Sequence, residues 1–249
     1  MAASTADAAA SPPAVPYASP LHSAATPEGA PLPPGALFAP SAARNAAPLR
    51  EQLQRLLAGL PHPGPHAVLE LAAGGGQHAA DFAASLPAAL LRCWQATDKE
   101  ASGVASCGAY REALPAGSPA RARLLPPRLL DVQAQPWPAD LASGACDVVL
   151  AVNLLHISPR AVCGAVLRGA AAALRPGGLL VLYGPFLLQG RFTTPSNEAF
   201  DAQLRAMHPD YGLRDLDAEV FAPGAALGLA RREVVDMPAN NFLLVLQRE

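Results

Sequence analysis

A mostly parallel α/β sheet of seven strands, with its last strand reversed and helices on both faces, is the fold this sequence predicts. Three observations point to it. Strand and helix signals alternate from residue 68 onward, the pattern of parallel strands joined by crossover helices. The first strand runs straight into a glycine turn and a helix, Val68-Leu69-Glu70-Leu71-Ala72-Ala73-Gly74-Gly75-Gly76-Gln77-His78. The last two strand signals, 233–236 and 242–246, follow one another without an intervening helix and read as antiparallel partners.

The elements follow in order. Residues 1–42 are rich in Ala, Pro and Ser and cannot bury enough apolar surface to fold alone, so a disordered tail is expected there and a folded domain over 43–249. A cleavable transit peptide is the competing reading of the tail, although such peptides are usually Arg-rich and residues 1–40 contain no Lys or Arg. Order is expected to begin near Arg44-Asn45, with Pro48 in the first turn of a helix. On it Leu49, Leu53, Leu56, Leu57 and Leu60 recur at helical spacing. The proline-rich 61–65 ends it. Strands are predicted over 68–71, 92–97, 128–131, 148–153 and 179–183. Helices are predicted over 77–85, from a Ser158-Pro159 cap to Leu174 with a stop at Pro176-Gly177-Gly178, over 197–207 and over 215–227.

Composition bounds the function. A chain of 249 residues holds one full α/β domain. A net charge of −2 gives no basic field for nucleic acid. No apolar run approaches the ~20 residues that cross a bilayer. Cys93, Cys107, Cys146 and Cys163 lack Cys-x-x-Cys spacing, so no metal is expected, and free thiols in a reducing compartment are the plain reading. The cytoplasm is the expected location, with an organelle as the alternative if the tail is a transit peptide. Trp137 reads as core packing rather than a stacking platform.

Ligands of such sheets bind at the carboxyl ends of the strands. Glu70 stands beside the glycine turn, where it would repel a pyrophosphate. It suits instead a ligand carrying an ammonium and a sulfonium, as S-adenosylmethionine does. Gly74 and Gly76 let backbone approach a ligand closely. Asp98 ends the second strand 22 residues after Gly76, where a carboxylate can accept both ribose hydroxyl protons. Asp131, after the third strand, can accept from an adenine amino group or brace the following turn. Asn153 and His156 follow the fourth strand, where a methyl donor would sit.

With these residues placed, the chain resembles the methyltransferase-like protein 26 family, a class I S-adenosylmethionine-dependent methyltransferase-like group of poorly defined substrate. The resemblance covers 44–248. It rests on separated strings: Arg44-Asn45-Ala46-Ala47-Pro48-Leu49, Gly76-Gln77-His78-Ala79, Trp94-Gln95-Ala96-Thr97-Asp98, Leu130-Asp131-Val132 with Trp137-Pro138, Asn153-Leu154-Leu155-His156-Ile157-Ser158-Pro159, Tyr183-Gly184-Pro185-Phe186, Ser196-Asn197 with Phe200-Asp201, Leu213-Arg214-Asp215, and Met237-Pro238-Ala239-Asn240-Asn241. It implies a Rossmann-like class I methyltransferase fold and cofactor contacts at Glu70, Gly74, Gly76, Asp98 and Asp131. It also implies a substrate pocket crowded by Arg44, Asn45, His156, Tyr183, Asn197 and Asn241. The chain departs from the pattern at Ala72, where many relatives carry the turn's first glycine and a methyl group fits if φ is negative. It departs again at Gly75, which loosens the loop, and at Arg160, where an aromatic often stands.

The expected activity is methyl transfer to a small molecule or an exposed side chain. His156 is the first candidate base, because imidazole titrates near neutral pH, and Tyr183 the second. An acceptor already present as thiolate, carboxylate or free amine needs no base. A non-catalytic methyltransferase-like binding module is the alternative. A nicotinamide-dependent oxidoreductase is disfavoured by Glu70 and by Ala79, which breaks a Gly-x-Gly-x-x-Gly register. Neither the residues nor the resemblance sets the acceptor or the oligomeric state.

Overall fold

The computed structural model describes Thr26 and residues 31–249. Its first helix, α1 (Pro40–Ala58), buries Leu49, Leu53, Leu56 and Leu57 along one stripe. It begins well before the expected Arg44, because Pro40 already supplies the fixed φ of a first helical position. Pro48 therefore lies inside the helix, where it offers no N–H to the preceding turn. The chain ahead of α1 is packed too: Ala36 and Ala39 are buried, and the Leu37 N–H donates to Ser106 Oγ at 2.8 Å. The expected boundary at 43 thus falls within packed structure. The rest of the tail expectation, 1–25 and 27–30, lies outside the described residues.

The sheet follows the predicted alternation. β1 (His66–Leu71), α2 (Gln77–Ser85), β2 (Leu91–Asp98), α3 (Ala101–Ala113), α4 (Pro119–Arg123), β3 (Arg128–Leu129) and β4 (Cys146–Val152) come first. A 3₁₀ turn (Leu155–Ile157) leads to α5 (Ala161–Ala173), β5 (Leu174–Gly184), β6 (Phe186–Leu187), α6 (Pro195–Met207) and β7 (Arg214–Asp215). A π-helical turn (Leu216–Phe221) then runs into α7 (Ala222–Ala225), and β8 (Leu229–Met237) and β9 (Asn241–Arg248) close the fold. The seven-stranded order is β3-β2-β1-β4-β5-β9-β8. β1 to β5 pair in parallel, and β9 runs antiparallel to both its neighbours. The predicted sheet with its reversed last strand is the one observed.

Strand alternation divides the core into two layers. Val68, Val148, Leu150, Leu179, Val181, Leu243 and Val245 face α1 and α2. Leu69, Val149, Ala151, Leu180, Leu182, Leu244 and Leu246 face α5 and the π-helical turn. Trp137 joins the second layer, 2% exposed, with its indole N–H donating to the Val132 carbonyl, as the core reading expected.

Several details differ from the expected elements: α4 and the short parallel pair β6–β7 were not expected, and the helix expected over 215–227 is the π-helical turn with α7. α3 was not foreseen, because only the small residues Gly103, Ser106 and Cys107 are buried on it and no large apolar stripe marks it. β3 stops at Leu129, which leaves Asp131 beyond the strand. α5 ends before Pro176-Gly177-Gly178, because Leu174 already pairs with Cys146 and β5 has begun.

At the amino ends of β1 and β4, Asp147 is 1% exposed. Its Oδ2 accepts the Ala67 N–H at 2.7 Å, while Oδ1 faces His66 Nδ1 at 3.3 Å and Arg175 Nε at 3.2 Å. Removing it leaves an amide donor and a guanidinium without their shared acceptor. Asp147→Ala is expected to lower unfolding free energy by about 3 kcal/mol in urea titration.

Candidate active site

The carboxyl ends of β1, β2 and β4 open on a trench of three adjoining cavities. The first, about 80 Å³, is lined by Glu70, Gly74, Gly75, His78 and Asn153 among others. The second, about 50 Å³, lies beyond Ala72 and is lined by Asp98, Leu130, Asp131, Val132 and Val162 among others. The third, about 460 Å³, is bounded by the start of α1, the 3₁₀ turn, α6 and the β8–β9 turn. Ile157 lines all three, a role that sequence reasoning did not assign; its only signal was its place in the string between Asn153 and Pro159.

Glu70 is 1% exposed. Its Oε2 accepts the Trp94 indole N–H at 2.8 Å, the carboxyl's only hydrogen bond among the described residues. Burial raises its pKa to about 8; the indole bond opposes this, and the nearby Asp98 adds to it. The carboxyl is therefore held largely protonated at neutral pH and gains charge readily when a cation arrives.

Asp98 is fixed by two backbone donors, Gly74 N–H to Oδ2 at 2.8 Å and Glu100 N–H to Oδ1 at 2.9 Å. It thereby ties the glycine turn to the end of β2 and presents its carboxyl to the second cavity. Asp131 also reaches that cavity, but it is exposed and its Oδ1 caps the Gln133 N–H at 2.9 Å, which is the turn-bracing role.

Two features of the turn bear on the sequence reading. Ala72 has φ +50°, so its methyl sits in the left-handed region rather than at the negative φ expected to accommodate it. Gly76, expected to touch a cofactor, lines none of the three cavities. It adopts φ +86° at the start of α2, and a side chain there would meet Cys107 Cα at 2.7 Å. Its lack of a side chain lets α3 approach, and from α3 the Ser106 hydroxyl donates to the Gly75 carbonyl at 2.6 Å.

Around the third cavity the structure gathers Arg44, Asn45, Asn153, His156, Asn197 and Asn241. Asn153 takes φ +55°, which asparagine tolerates, and lines the first cavity as well. The Asn197 amide donates to Thr193 Oγ1 and to the Asn240 carbonyl, tying α6 to the β8–β9 turn. The Asn241 amide donates to the Pro238 carbonyl at 3.0 Å.

His156 is buried against Phe200, and its ring makes no hydrogen bond among the described residues. Burial, then the charge of Arg214, lowers its pKa to about 3. The near-neutral titration expected of a base is lost, leaving a neutral imidazole. Arg214 itself is fully buried, donating to the carbonyls of Gly212 and Ser158 at 2.6 Å each.

Tyr183, the second expected base, faces the α1 layer and lines none of the three cavities. Burial raises its pKa to about 12 against the opposing influence of Asn241 and Arg44, and its hydroxyl forms no hydrogen bond of normal geometry among the described residues. Arg160 pairs with Glu219 and does not line the trench.

Sheet order, reversed final strand and a glycine turn flanked by two strand-end carboxylates together define the class I methyltransferase fold. The chain belongs to the DUF938 family, described as a protein of unknown function, which it matches over residues 36–248. Among solved structures it is similar to an O-methyltransferase family protein from Burkholderia thailandensis, with TM-score 0.66 and 18% identity over 84% of this chain and 57% of that one. It is similar to an O-methyltransferase family 2 protein from Planctomyces limnophilus in complex with apigenin, with TM-score 0.60 and 18% identity over 84% and 62%. A further similar structure is the S-adenosylmethionine-dependent methyltransferase SibL in its apo form, with TM-score 0.58 and 19% identity over 80% and 55%. The chain thus spans less than two thirds of these proteins' length.

Two outcomes follow from the turn. Ala72→Gly is expected to raise unfolding free energy by about 1 kcal/mol, by relieving the left-handed alanine. Glu70→Gln keeps the acceptor for Trp94 and removes the buried acid. Because the folded pKa of Glu70 lies above its ordinary 4.5, the folded state keeps a proton that the unfolded state gives up between pH 4.5 and 8. Wild-type stability should therefore fall relative to the variant as pH rises through that window. The variant should be about 1–2 kcal/mol the more stable at pH 8, read by denaturant titration across pH.

Proposed function

We propose that this chain is an S-adenosylmethionine-dependent methyltransferase acting on a small-molecule or side-chain acceptor. The observation that carries this reading is Glu70, a buried carboxyl lining a glycine-walled cavity with a single indole as partner. An ammonium supplies the counter-charge that site lacks, while a pyrophosphate would be repelled. The neighbouring groups fit the rest of the cofactor. Asp98 suits a ribose diol, and Leu130, Val132, Ile157 and Val162 offer an apolar slot for a purine, with Asp131 at its edge.

S-adenosylmethionine, when bound, supplies a methyl carbon activated by its sulfonium. The chain's own task is then to align the acceptor and exclude water, and alignment alone can lower a barrier by ~7–11 kcal/mol. Asn153 lines both the first and third cavities and so marks their junction. His156 and Tyr183 are not tuned to remove a proton at neutral pH, so the reading favours an acceptor that arrives already nucleophilic, with His156 as a neutral positioning group. The solved structures named as O-methyltransferases support this reading, as does the one named for S-adenosylmethionine.

The finer kinship with the methyltransferase-like protein 26 group is supported by the strings running from Arg44 to Asn241. The net charge of −2 supports partners other than nucleic acid. Among the described residues no helix is long and apolar enough to cross a membrane, and the four cysteines are free, which supports a reducing compartment such as the cytoplasm. The second reading, a non-catalytic binding module, is favoured by the narrowness of the first two cavities and by the left-handed Ala72.

Calorimetric titration of the full chain with S-adenosylmethionine tests the cofactor site that the methyltransferase reading requires. The expected result is micromolar binding, weakened at least 100-fold in a Glu70→Ala/Asp98→Ala double variant. At pH 7 binding should release protons as Glu70 ionises, seen as heat that varies with buffer ionisation enthalpy. No binding by the wild type would favour the non-catalytic module instead.

A further inference from the structure

The third cavity holds no Asp or Glu side chain among its lining residues, and Arg44 is its one charged group. Arg44 is exposed and makes no ion pair or hydrogen bond among the described residues. A lone exposed arginine on a helix is ordinarily just solvated. Here a second, independent feature stands one residue away: Asn45 is 8% exposed, lines the same cavity, and its amide has no protein partner among the described residues. The amide thus keeps its donors free toward the cavity, where a ligand can take them.

On the methyltransferase reading above, we propose that the third cavity selects a small acceptor bearing a carboxylate on an apolar body, anchored by Arg44 and Asn45. A guanidinium presents paired N–H donors that match the two oxygens of a carboxylate, and the neighbouring amide adds a further donor. Beside the polar Ser196, Asn197 and Gln203, α6 contributes Phe200, Leu204 and Met207, which suit a ring or short alkyl body. A volume of about 460 Å³ falls in the range of small-molecule sites. A cationic acceptor finds no counter-charge here and meets Arg44 as a like charge. A neutral acceptor leaves the guanidinium unused. An ionised carboxylate also agrees with a pocket whose histidine is held neutral, because it needs no proton removed.

The test uses the full chain saturated with S-adenosylhomocysteine. Benzoate and trans-cinnamate are titrated beside their neutral counterparts, benzamide and cinnamamide, and beside benzylamine, in wild type and Arg44→Gln. The acids are expected to bind the wild type at least tenfold more tightly than the amides or the amine. Arg44→Gln should erase that preference while leaving S-adenosylhomocysteine affinity within twofold. Equal binding of acids and amides, acid binding indifferent to Arg44→Gln, or no acid binding at millimolar concentration would each overturn the proposal. Failure of S-adenosylhomocysteine to bind the wild type would instead remove the methyltransferase reading. The acid titrations, run without it, would still decide whether the pocket takes carboxylates.

Discussion

Burying a carboxyl at the end of a parallel strand, with one indole N–H as its partner, is the constraint around which this site is arranged. Desolvation of Glu70 is unfavourable to the apo fold, and the surrounding structure has to hold it in place. Trp94, fully buried on the neighbouring strand, fixes one oxygen. Thr97 Oγ1 donates to the Glu70 backbone carbonyl at 2.8 Å and fixes the strand end. Asp98 then locks the glycine turn over it through Gly74. The acid, the turn and the end of β2 form one rigid unit, as pre-organised binding of a charged group requires.

The unit is braced from a direction that local sequence does not advertise. α3 packs through Gly103, Ser106 and Cys107, and Ser106 stands between two strangers in sequence. It accepts from Leu37 N–H and donates to the Gly75 carbonyl. The segment ahead of α1 is thus laced to the glycine loop through one hydroxyl. Gln77 adds a second tie by accepting the Ala39 N–H. What reads as a low-complexity leader in the sequence therefore ends as part of the first cavity's wall, with Ala39, Ser41 and Ala42 lining it.

The legible parts of this protein were those whose chemistry is local. The strand, turn and helix from 68 to 85 announce themselves, because alternation, glycines and an acid fall within a few residues. The reversed β8–β9 pair is equally plain. Asp98 was readable from its spacing to the turn. Residues whose behaviour depends on distant neighbours were not. His156 loses its basicity to burial and to Arg214, which arrives from 58 residues away in the chain. Gly76 owes its lack of a side chain to Cys107, which packs against it from α3. α3 hid because small residues pack closely without leaving a periodic apolar stripe. Tyr183 was within reach: it shares a strand face with Leu179 and Val181, and period-2 counting places it on the α1 side.

The trench divides by chain segment as well as by chemistry. The Glu70 and Asp98 half is drawn from strand ends and the crossovers between them, where each change disturbs the sheet. The Arg44 half shares Asn153, His156 and Ile157 after β4, but most of its wall is drawn from the opening of α1, from α6 and from the short turn ahead of Asn241. Descendants of this chain can therefore reshape the third cavity while inheriting the Glu70 and Asp98 half intact. Lineages of this fold should diverge fastest along α6 and at 238–241, and slowest from 68 to 76.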